Sequence, residues 1–510
     1  MPSRFSSLLL AACGLASASF AFASEAPKTV HRVTAAPYDS DIPREREHYE
    51  VTPYPFSSDM VLEGGGIDLL PDGRLVVSTR RGELWLVEGA FGDDFTQARF
   101  TLFATGLHEP LSVFFQDGWF YVTERNGITR VRDTDGDHRA DEFEIVTDQF
   151  GVTGNFHEYA FSSRPDRDGN IWTALCLANA STSPVPWRGW VLRITPEGKI
   201  IPTAAGVRSP GGIGFNADGD CFFTDNQGDW NGTSSLKHIV PGSFQGTPPS
   251  LEWWDQAGPE LGPKPLEPST GRILTDRLAD PQFIPPAVLI PHNRAGRSPT
   301  AIVFDRSGKF GPFGRQLFVA EHTFSQITRI SLEKVNGLYQ GAVFPFISGL
   351  ESGPIGLVFG PDGSLIVTGS ARGWGAKGGK SFHFERIRWR GKLPFEPLEI
   401  RAQPDGFVVT FTEPVDPQTA ANPASYSVEA WTYLHSKAYG SEELDRVIPT
   451  VAQANVSPDG LSVRLLVSPL TRGHVHEIKL DGIRNRRGES LVHPIGWYTL
   501  NEIPTSQAAE

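Results

Sequence analysis

The chain predicts an all-β fold: a six-bladed β-propeller followed by a smaller β-sandwich. Three observations lead there. A small turn recurs six times, as PDG at Pro71 to Gly73, QDG at Gln116 to Gly118, RDG at Arg167 to Gly169, ADG at Ala217 to Gly219, RSG at Arg306 to Gly308 and PDG at Pro361 to Gly363. Apolar runs such as GIDLLPDG and IGLVFGPDG lead into the turn, and others such as RLVVST and QLFVAE follow it. That is a hairpin closed by Asp-Gly chemistry. Counted on the residue before each glycine, the spacings are 45, 51, 50, 89 and 55 residues, near the length of one four-stranded blade.

Composition agrees with that class. The 510 residues include 53 Gly and 41 Pro, and no long stretch carries the 3.6-residue apolar period of a helix. A formal net charge of -13 argues against a nucleic-acid partner, because phosphate binding needs a basic face. It leaves open an uncharged sugar or a cation held by carboxylates.

The first 23 residues read as an export signal: Arg4, an apolar stretch from Phe5 to Phe20, and small residues ending at Ala21-Phe22-Ala23. The mature protein is then expected in the periplasm or outside the cell. Leu10-Ala11-Ala12-Cys13 also fits a lipoprotein processing site, which would place a lipid anchor on Cys13. No later segment has the run of ~20 apolar residues that spans a membrane. Cys176 and Cys221 read as two buried thiols with a disulfide as the other reading, and no CxxCH motif attaches haem.

Along the chain, a polar lead-in at 24–50 precedes the propeller at 51–392. The propeller carries a Pro- and Gly-rich insertion at 241–297, which accounts for the 89-residue spacing. Long irregular segments in compact domains tend to be lids or binding loops, so the insertion is expected over a functional face. From 393 to 503 the strings FVVTFTEPVDPQTAANPASYSVEAW, LSVRLLVSPL and HEIKLDGI read as short alternating strands of a sandwich. TFTEPVDPQTAANPASYSV resembles bacterial immunoglobulin-like modules, which implies an immunoglobulin-like β-sandwich that positions or stabilises without catalysing.

Hairpin geometry predicts which residues share a face. If the Asp-Gly turns lie on one face of the disc, residues just before each first strand and just after each second strand lie together on the other. The first set is Glu63, His108, His157, Arg208, Arg297 and Glu351. The second holds Thr79-Arg80-Arg81, Glu124-Arg125, Asp225-Asn226-Gln227-Gly228-Asp229, Glu321-His322 and Ser370-Ala371-Arg372-Gly373-Trp374. Each taken singly is as well read as a solvated loop side chain, but convergent ionisable groups at the mouth of a scaffold mark a site.

Two segments are candidates for cation binding. Asp225, Asn226, Gln227 and Asp229 offer the oxygen ligands that calcium prefers, with an ordinary polar turn as the alternative. In DTDGDHRADEFE, Asp133, Asp135 and Asp137 alternate as in calcium loops, but His138 takes the sixth place where the helix-loop-helix motif requires Gly. A structural calcium and a bare acidic hairpin loop are both open there.

Over roughly residues 61–390 the chain resembles the pyrroloquinoline-quinone-dependent glucose and sorbosone dehydrogenase-like propellers, above all their exported membrane-bound-dehydrogenase branch. GLHEPLSV, VRDTDGD, NFHEYAF, GVRSPGGIGFNADGDCFFTDNQGDWNGTSSLKHI, IPHNRAGRSP, LEKVNGLYQGAVFPF and ARGWG carry the resemblance. It implies oxidation of a small carbohydrate by a calcium-bound quinone, with electrons passed to an external acceptor. His157 matches the family's base, which takes a sugar hydroxyl proton, and an imidazole suits that role. Arg208 matches an Arg that holds the quinone bidentately, although Ser209 follows where the family often has Asn. Asp225, Asn226 and Gln227 match the calcium loop. Arg372 and Trp374 would give charge pairing and a flat face to an aromatic tricarboxylate, with Arg297 and His108 as further cofactor-binding candidates. Two other classes remain: a metal-dependent propeller lactonase or hydrolase using Glu63 and Asp225, and a non-catalytic carbohydrate-binding propeller with Trp253, Trp254 and Trp374 as stacking platforms.

Overall fold

The computed structural model describes residues 36–177 and 182–505, and in it the six hairpins become six antiparallel four-stranded sheets whose innermost strands abut in a closed ring. The expected export signal, with Cys13, and the start of the lead-in lie outside the described residues. From the axis outward, blade 1 is Gly64–Leu69, Leu75–Thr79, Glu83–Glu88 and Arg99–Ala104, and blade 2 is Ser112–Gln116, Trp119–Thr123, Ile128–Arg132 and Glu142–Thr147. Blade 3 is Ala160–Pro165, Ile171–Leu175, Trp190–Ile194 and Ile200–Ala205, and blade 4 is Pro210–Phe215, Cys221–Asp225, Ser234–His238 and Val288–Ile290. Blade 5 is Pro299–Phe304, Leu317–Glu321, Gln326–Val335 and Leu338–Ile347. Blade 6 is Pro354–Phe359, Leu365–Ser370 and Phe382–Trp389, and its outermost strand, Tyr49–Pro53, comes from the other end of the chain. The lead-in thus supplies the strand that seals the ring.

These second strands are buried along their whole length because both of their faces are covered by neighbouring blades. Every residue of Leu75–Thr79, Trp119–Thr123, Ile171–Leu175, Cys221–Asp225 and Leu317–Glu321 is buried. At the tips, all six turn glycines have φ between 66° and 93°, where an L side chain is strained. Near the axis the blades meet backbone to backbone. A Cβ on Gly212 would lie 2.4 Å from the Thr300 carbonyl oxygen, and one on Gly66 2.6 Å from the Ser112 Cα.

The insertion departs from the expected position over a functional face. Leu251, Trp254, Leu261 and Phe283 are buried against Trp190 on the flank of blade 3, and the Trp190 indole donates to the Ser250 carbonyl at 2.9 Å. Apolar side chains of this size find cover in the groove between outer strands, so the segment folds sideways. Its last residues alone reach the cavity described below.

The C-terminal segment forms two facing sheets. One is Pro397–Gln403, Gly406–Phe411, Ser462–Ser468 and Thr450–Val456; the other is Ile495–Leu500, His474–Lys479, Ser427–Thr432 and Leu444–Val447. Phe407, Val409, Leu465, Ile478 and Tyr498 fill the space between them. The second sheet is continuous with blade 5, since Leu338–Ile347 pairs with Ile495–Leu500 through Ala342 opposite Tyr498, giving eight strands in one sheet. A blade's outer edge carries unpaired backbone groups, and the sandwich satisfies them.

A buried ionic chain ties the three parts together. Helix Ile42–His48 offers Glu45, which lies 3.2 Å from His493 Nε2, while His493 Nδ1 lies 2.6 Å from Glu396 and Glu396 lies 3.5 Å from Arg329 of blade 5. Burial alone would lower the His493 pKa, but Glu396 and Glu45 outweigh it and hold the imidazole at about 9.

Candidate active site

On the face opposite the turns a cavity of about 400 Å³ opens along the axis. Blade 1 contributes Arg80, blade 3 His157 and Phe161, and blade 4 Arg208, Ser209, Asn226 and Gln227. His292, Arg297, Ser298, His322 and Thr323 come from the lead into blade 5 and from its second strand's end, and Trp374 comes from blade 6. The two predicted rings therefore converge in part: His157, Arg208 and Arg297 from the first, and Arg80, Asn226, Gln227, His322 and Trp374 from the second.

Buried carboxylates aim these loops. In blade 5, Glu321 accepts the Ser298 amide at 2.6 Å, the Arg297 amide at 2.9 Å and the Phe324 amide at 2.7 Å. In blade 2, Glu124 accepts the His108 amide. In blade 4 the same task falls to Asp225, which accepts the Ser209 amide at 2.7 Å and the Arg208 amide at 3.3 Å. Each acid sits at the end of a second strand and fixes the loop that feeds the first strand.

This corrects the expected cation site. Asp225 is fully buried, does not line the cavity, and lies 2.9 Å from the Lys237 ammonium. The lysine supplies the positive charge expected of a metal. Gln227 is held through its side-chain amide by the Gly232 carbonyl, and its own carbonyl accepts from Arg208 at 3.1 Å. Two buried oxygens, Asn226 Oδ1 and Asp229 Oδ2, have no hydrogen-bond partner among the described residues. They are the donor type a hard cation takes.

Other expected residues lie outside the cavity. Arg372 pairs with Glu63 at 2.6 Å, and it is its carbonyl that touches the site, accepting from Arg80 at 2.6 Å. His108 is exposed, with its ring 3.3 Å from Asn126 Oδ1. The chain adopts a positive φ of 47° at Glu109, and it is Glu109 that reaches Arg80 at 3.4 Å and Arg125 at 3.0 Å. The hairpin with Asp133, Asp135 and Asp137 sits between the outer strands of blade 2. There Asp133 and Asp135 approach Asp141, while Asp137 caps the Arg139 amide at 2.8 Å. Trp254 is buried with its indole donating to Gly262, so it offers no stacking surface. Cys176 and Cys221 are free buried thiols; burial raises the Cys176 pKa to about 11, and its Sγ donates to the Arg208 carbonyl.

The electrostatics of the cavity are one-sided. Arg80, Arg208 and Arg297 line it, and among the described residues no carboxylate does. Arg208 and Asp229 approach only to 3.9 Å, and the Arg208 Nε is buried without a partner among the described residues. Three imidazoles share the space. Burial and then the Arg208 charge lower the His157 pKa, burial and Arg297 take His292 down to about 4, and burial lowers His322. All three are neutral near pH 7. His322 Nε2 lies 2.8 Å from the Ser370 carbonyl, which can only accept, so that nitrogen carries the proton. The His157 ring stacks on Phe156 at 3.9 Å and lies 6.3 Å from Trp374, with no hydrogen-bond partner among the described residues. A neutral, unpaired imidazole beside guanidinium groups can take a proton from a substrate hydroxyl.

Residues 91–369, from the outer part of blade 1 to the second strand of blade 6, match the family described as Domain of unknown function (DUF7133). The chain belongs to the DUF7133 family. The matched segment of this DUF7133 protein holds His157, Arg208, His292, Arg297 and His322, whereas Arg80, Trp374 and Tyr439 lie outside it.

No curated protein matches the chain. Among solved structures, a soluble aldose sugar dehydrogenase from Escherichia coli in the apo form is 16% identical with a TM-score of 0.48, over 67% of this chain and 100% of that one. A PQQ-bound aldose sugar dehydrogenase from Streptomyces coelicolor is 15% identical with a TM-score of 0.46, over 67% of this chain and 98% of that one. The holo PQQ domain of a pyranose dehydrogenase from Coprinopsis cinerea is 13% identical with a TM-score of 0.45, over 67% and 95%. Among the described residues no helix is long and apolar enough to cross a membrane.

His292 and Tyr439 line the cavity although neither was expected as a site residue. His292 lies within IPHNRAGRSP, at the insertion's end. Tyr439 comes from the sandwich, and its ring lies 5.1 Å from the Arg208 guanidinium.

Proposed function

We propose that this protein is an exported sugar dehydrogenase that passes hydride from a small carbohydrate to pyrroloquinoline quinone. The reading is carried by one observation: among the described residues, three arginines and no carboxylate line a cavity that also holds a flat indole and a neutral imidazole. A tricarboxylate fits that charge, and a substrate-sized bare cation does not.

When bound, the quinone would supply the hydride acceptor. Arg208 and Arg297 would hold its carboxylate or carbonyl oxygens, with Arg80 lining the same cavity and tied to Tyr159 at 2.7 Å. Trp374 would offer a face to its aromatic ring system. His157 accepts the sugar's hydroxyl proton on its free ring nitrogen. Calcium accompanying the cofactor would be held by Asn226 Oδ1 and Asp229 Oδ2. Asp225 has no part in that, because Lys237 neutralises it.

The hydrolytic reading has less support, since Glu63 and Asp225, the acids it needs, are paired with Arg372 and Lys237. The test is a dye-reduction assay with aldoses after reconstitution with quinone and calcium. Turnover in the wild type and its loss in His157→Ala supports the reading; no turnover with any aldose overturns it.

A further inference from the structure

The sandwich does more than cover the edge of blade 5. Between its strands Ser427–Thr432 and Leu444–Val447 the chain leaves on an excursion across the cavity face. The excursion is clamped throughout. The Trp230 amide donates to the Ser436 carbonyl at 2.6 Å, the Gly440 amide to Gly228 at 3.0 Å and the Ser441 amide to Gly232 at 2.8 Å. Asp229 and Tyr439 form an antiparallel bridge. The two backbones meet so closely that a Cβ on Gly440 would lie 2.7 Å from the Gln227 side chain, and one on Gly232 2.4 Å from the Leu434 carbonyl. At the base, Arg294 holds Glu443 through two hydrogen bonds of 2.7 and 2.9 Å.

Against this fixed backbone the Tyr439 side chain is 69% exposed, yet it lines the cavity with one side toward the Arg208 guanidinium at 5.1 Å. A rigid loop that holds a large aromatic ring in water gains nothing from burial, so the ring is available to a ligand. Its surroundings name the class. The cavity wall also offers neutral donors and acceptors on Ser209, Gln227 and Thr323. A flat apolar face with neutral hydrogen-bonding groups suits a pyranose ring.

Resting on the dehydrogenase reading, we propose that Tyr439 is a specificity-determining residue that stacks on the sugar ring, which makes the C-terminal sandwich part of the substrate site. The loop would then select sugars by ring shape, from a domain outside the segment that defines the family.

Tyr439→Ala and Tyr439→Phe test this with glucose, galactose and xylose. In the dye assay Tyr439→Ala should raise KM roughly tenfold with a much smaller change in kcat, and Tyr439→Phe should restore the wild-type KM because the ring is kept. Quinone affinity, followed separately by absorbance, should change by no more than about twofold. Calorimetric titration of the chain with each aldose is run in parallel. A KM and an aldose affinity unchanged in Tyr439→Ala would overturn the role of Tyr439. Wild-type aldose binding that is weakened in Tyr439→Ala while no turnover occurs would uphold it and count against the dehydrogenase reading alone. Aldose binding that is undetectable in the wild type, with and without quinone, would overturn both.

Discussion

Asp225 and Lys237 form a fully buried ion pair at 2.9 Å between neighbouring strands of blade 4. Both charges have further partners, the Ser209 and Arg208 amides for the acid and the Gln245 carbonyl for the ammonium. The pair therefore sets the loop that carries Arg208 into the cavity. It neutralises the acid away from the cavity lining.

Removing one member leaves the other charge buried and alone. Lys237→Met should lower unfolding stability by about 3–5 kcal/mol, and Asp225→Asn by a comparable amount. Denaturant unfolding measures this. Added calcium should not restore either variant, whereas a true metal ligand would leave the calcium dependence, not the metal-free stability, as the main casualty.

His493 predicts a pH dependence of stability. Its folded pKa of about 9 lies above the ordinary 6.5, so the folded state binds a proton more tightly than the unfolded chain. The stabilisation is complete below about pH 6.5 and is lost as pH rises through about 9. On the order of 3 kcal/mol is at stake. Thermal unfolding from pH 6 to 10 should show a decline in Tm that is flattened in His493→Gln. A Tm rising over that range in the wild type would contradict the Glu45–His493–Glu396 arrangement.

How much of this was legible in the sequence follows from what each feature depends on. The blades were readable because their turns repeat one local chemistry and because strands covered on both faces show unbroken apolar runs. His157, Arg208 and Arg297 were placed by hairpin geometry alone. Asp225 misled because the residue that neutralises it, Lys237, looks like any strand lysine until the register of the third strand is known. His108 misled because the backbone turns at Glu109 and presents that acid to Arg80 and Arg125. Tyr439 reaches the site through the pairing of the sandwich with blade 5 and the bonds of its loop to residues 228–232, contacts between distant parts of the chain that leave no local pattern.

The close approach of blades near the axis makes a further prediction. Gly212→Ala puts a methyl group 2.4 Å from the Thr300 carbonyl oxygen, with the backbone of the next blade behind it. A loss of about 1–3 kcal/mol or more is expected, together with weaker cofactor binding as blades 4 and 5 shift. Circular dichroism melts check the first and quinone titration the second.

The proton acceptor fixes the acid side of the pH profile. His157 has a pKa below the ordinary imidazole value because burial and Arg208 disfavour its charged form. The acid limb of kcat/KM should therefore fall at a pH below about 6.5, and Arg208→Lys, which keeps the charge, should leave it near that position. A midpoint above pH 7 would rule out His157 as the base.

The cationic cavity is tested most directly by equilibrium titration of the protein with pyrroloquinoline quinone, followed by its absorbance, in the wild type and in Arg208→Ala with and without calcium. Saturable one-to-one uptake by the wild type, weakened by tenfold or more in Arg208→Ala, is expected from a tricarboxylate held by guanidinium groups. No uptake by the wild type with calcium present, or equal uptake by both chains, would contradict it.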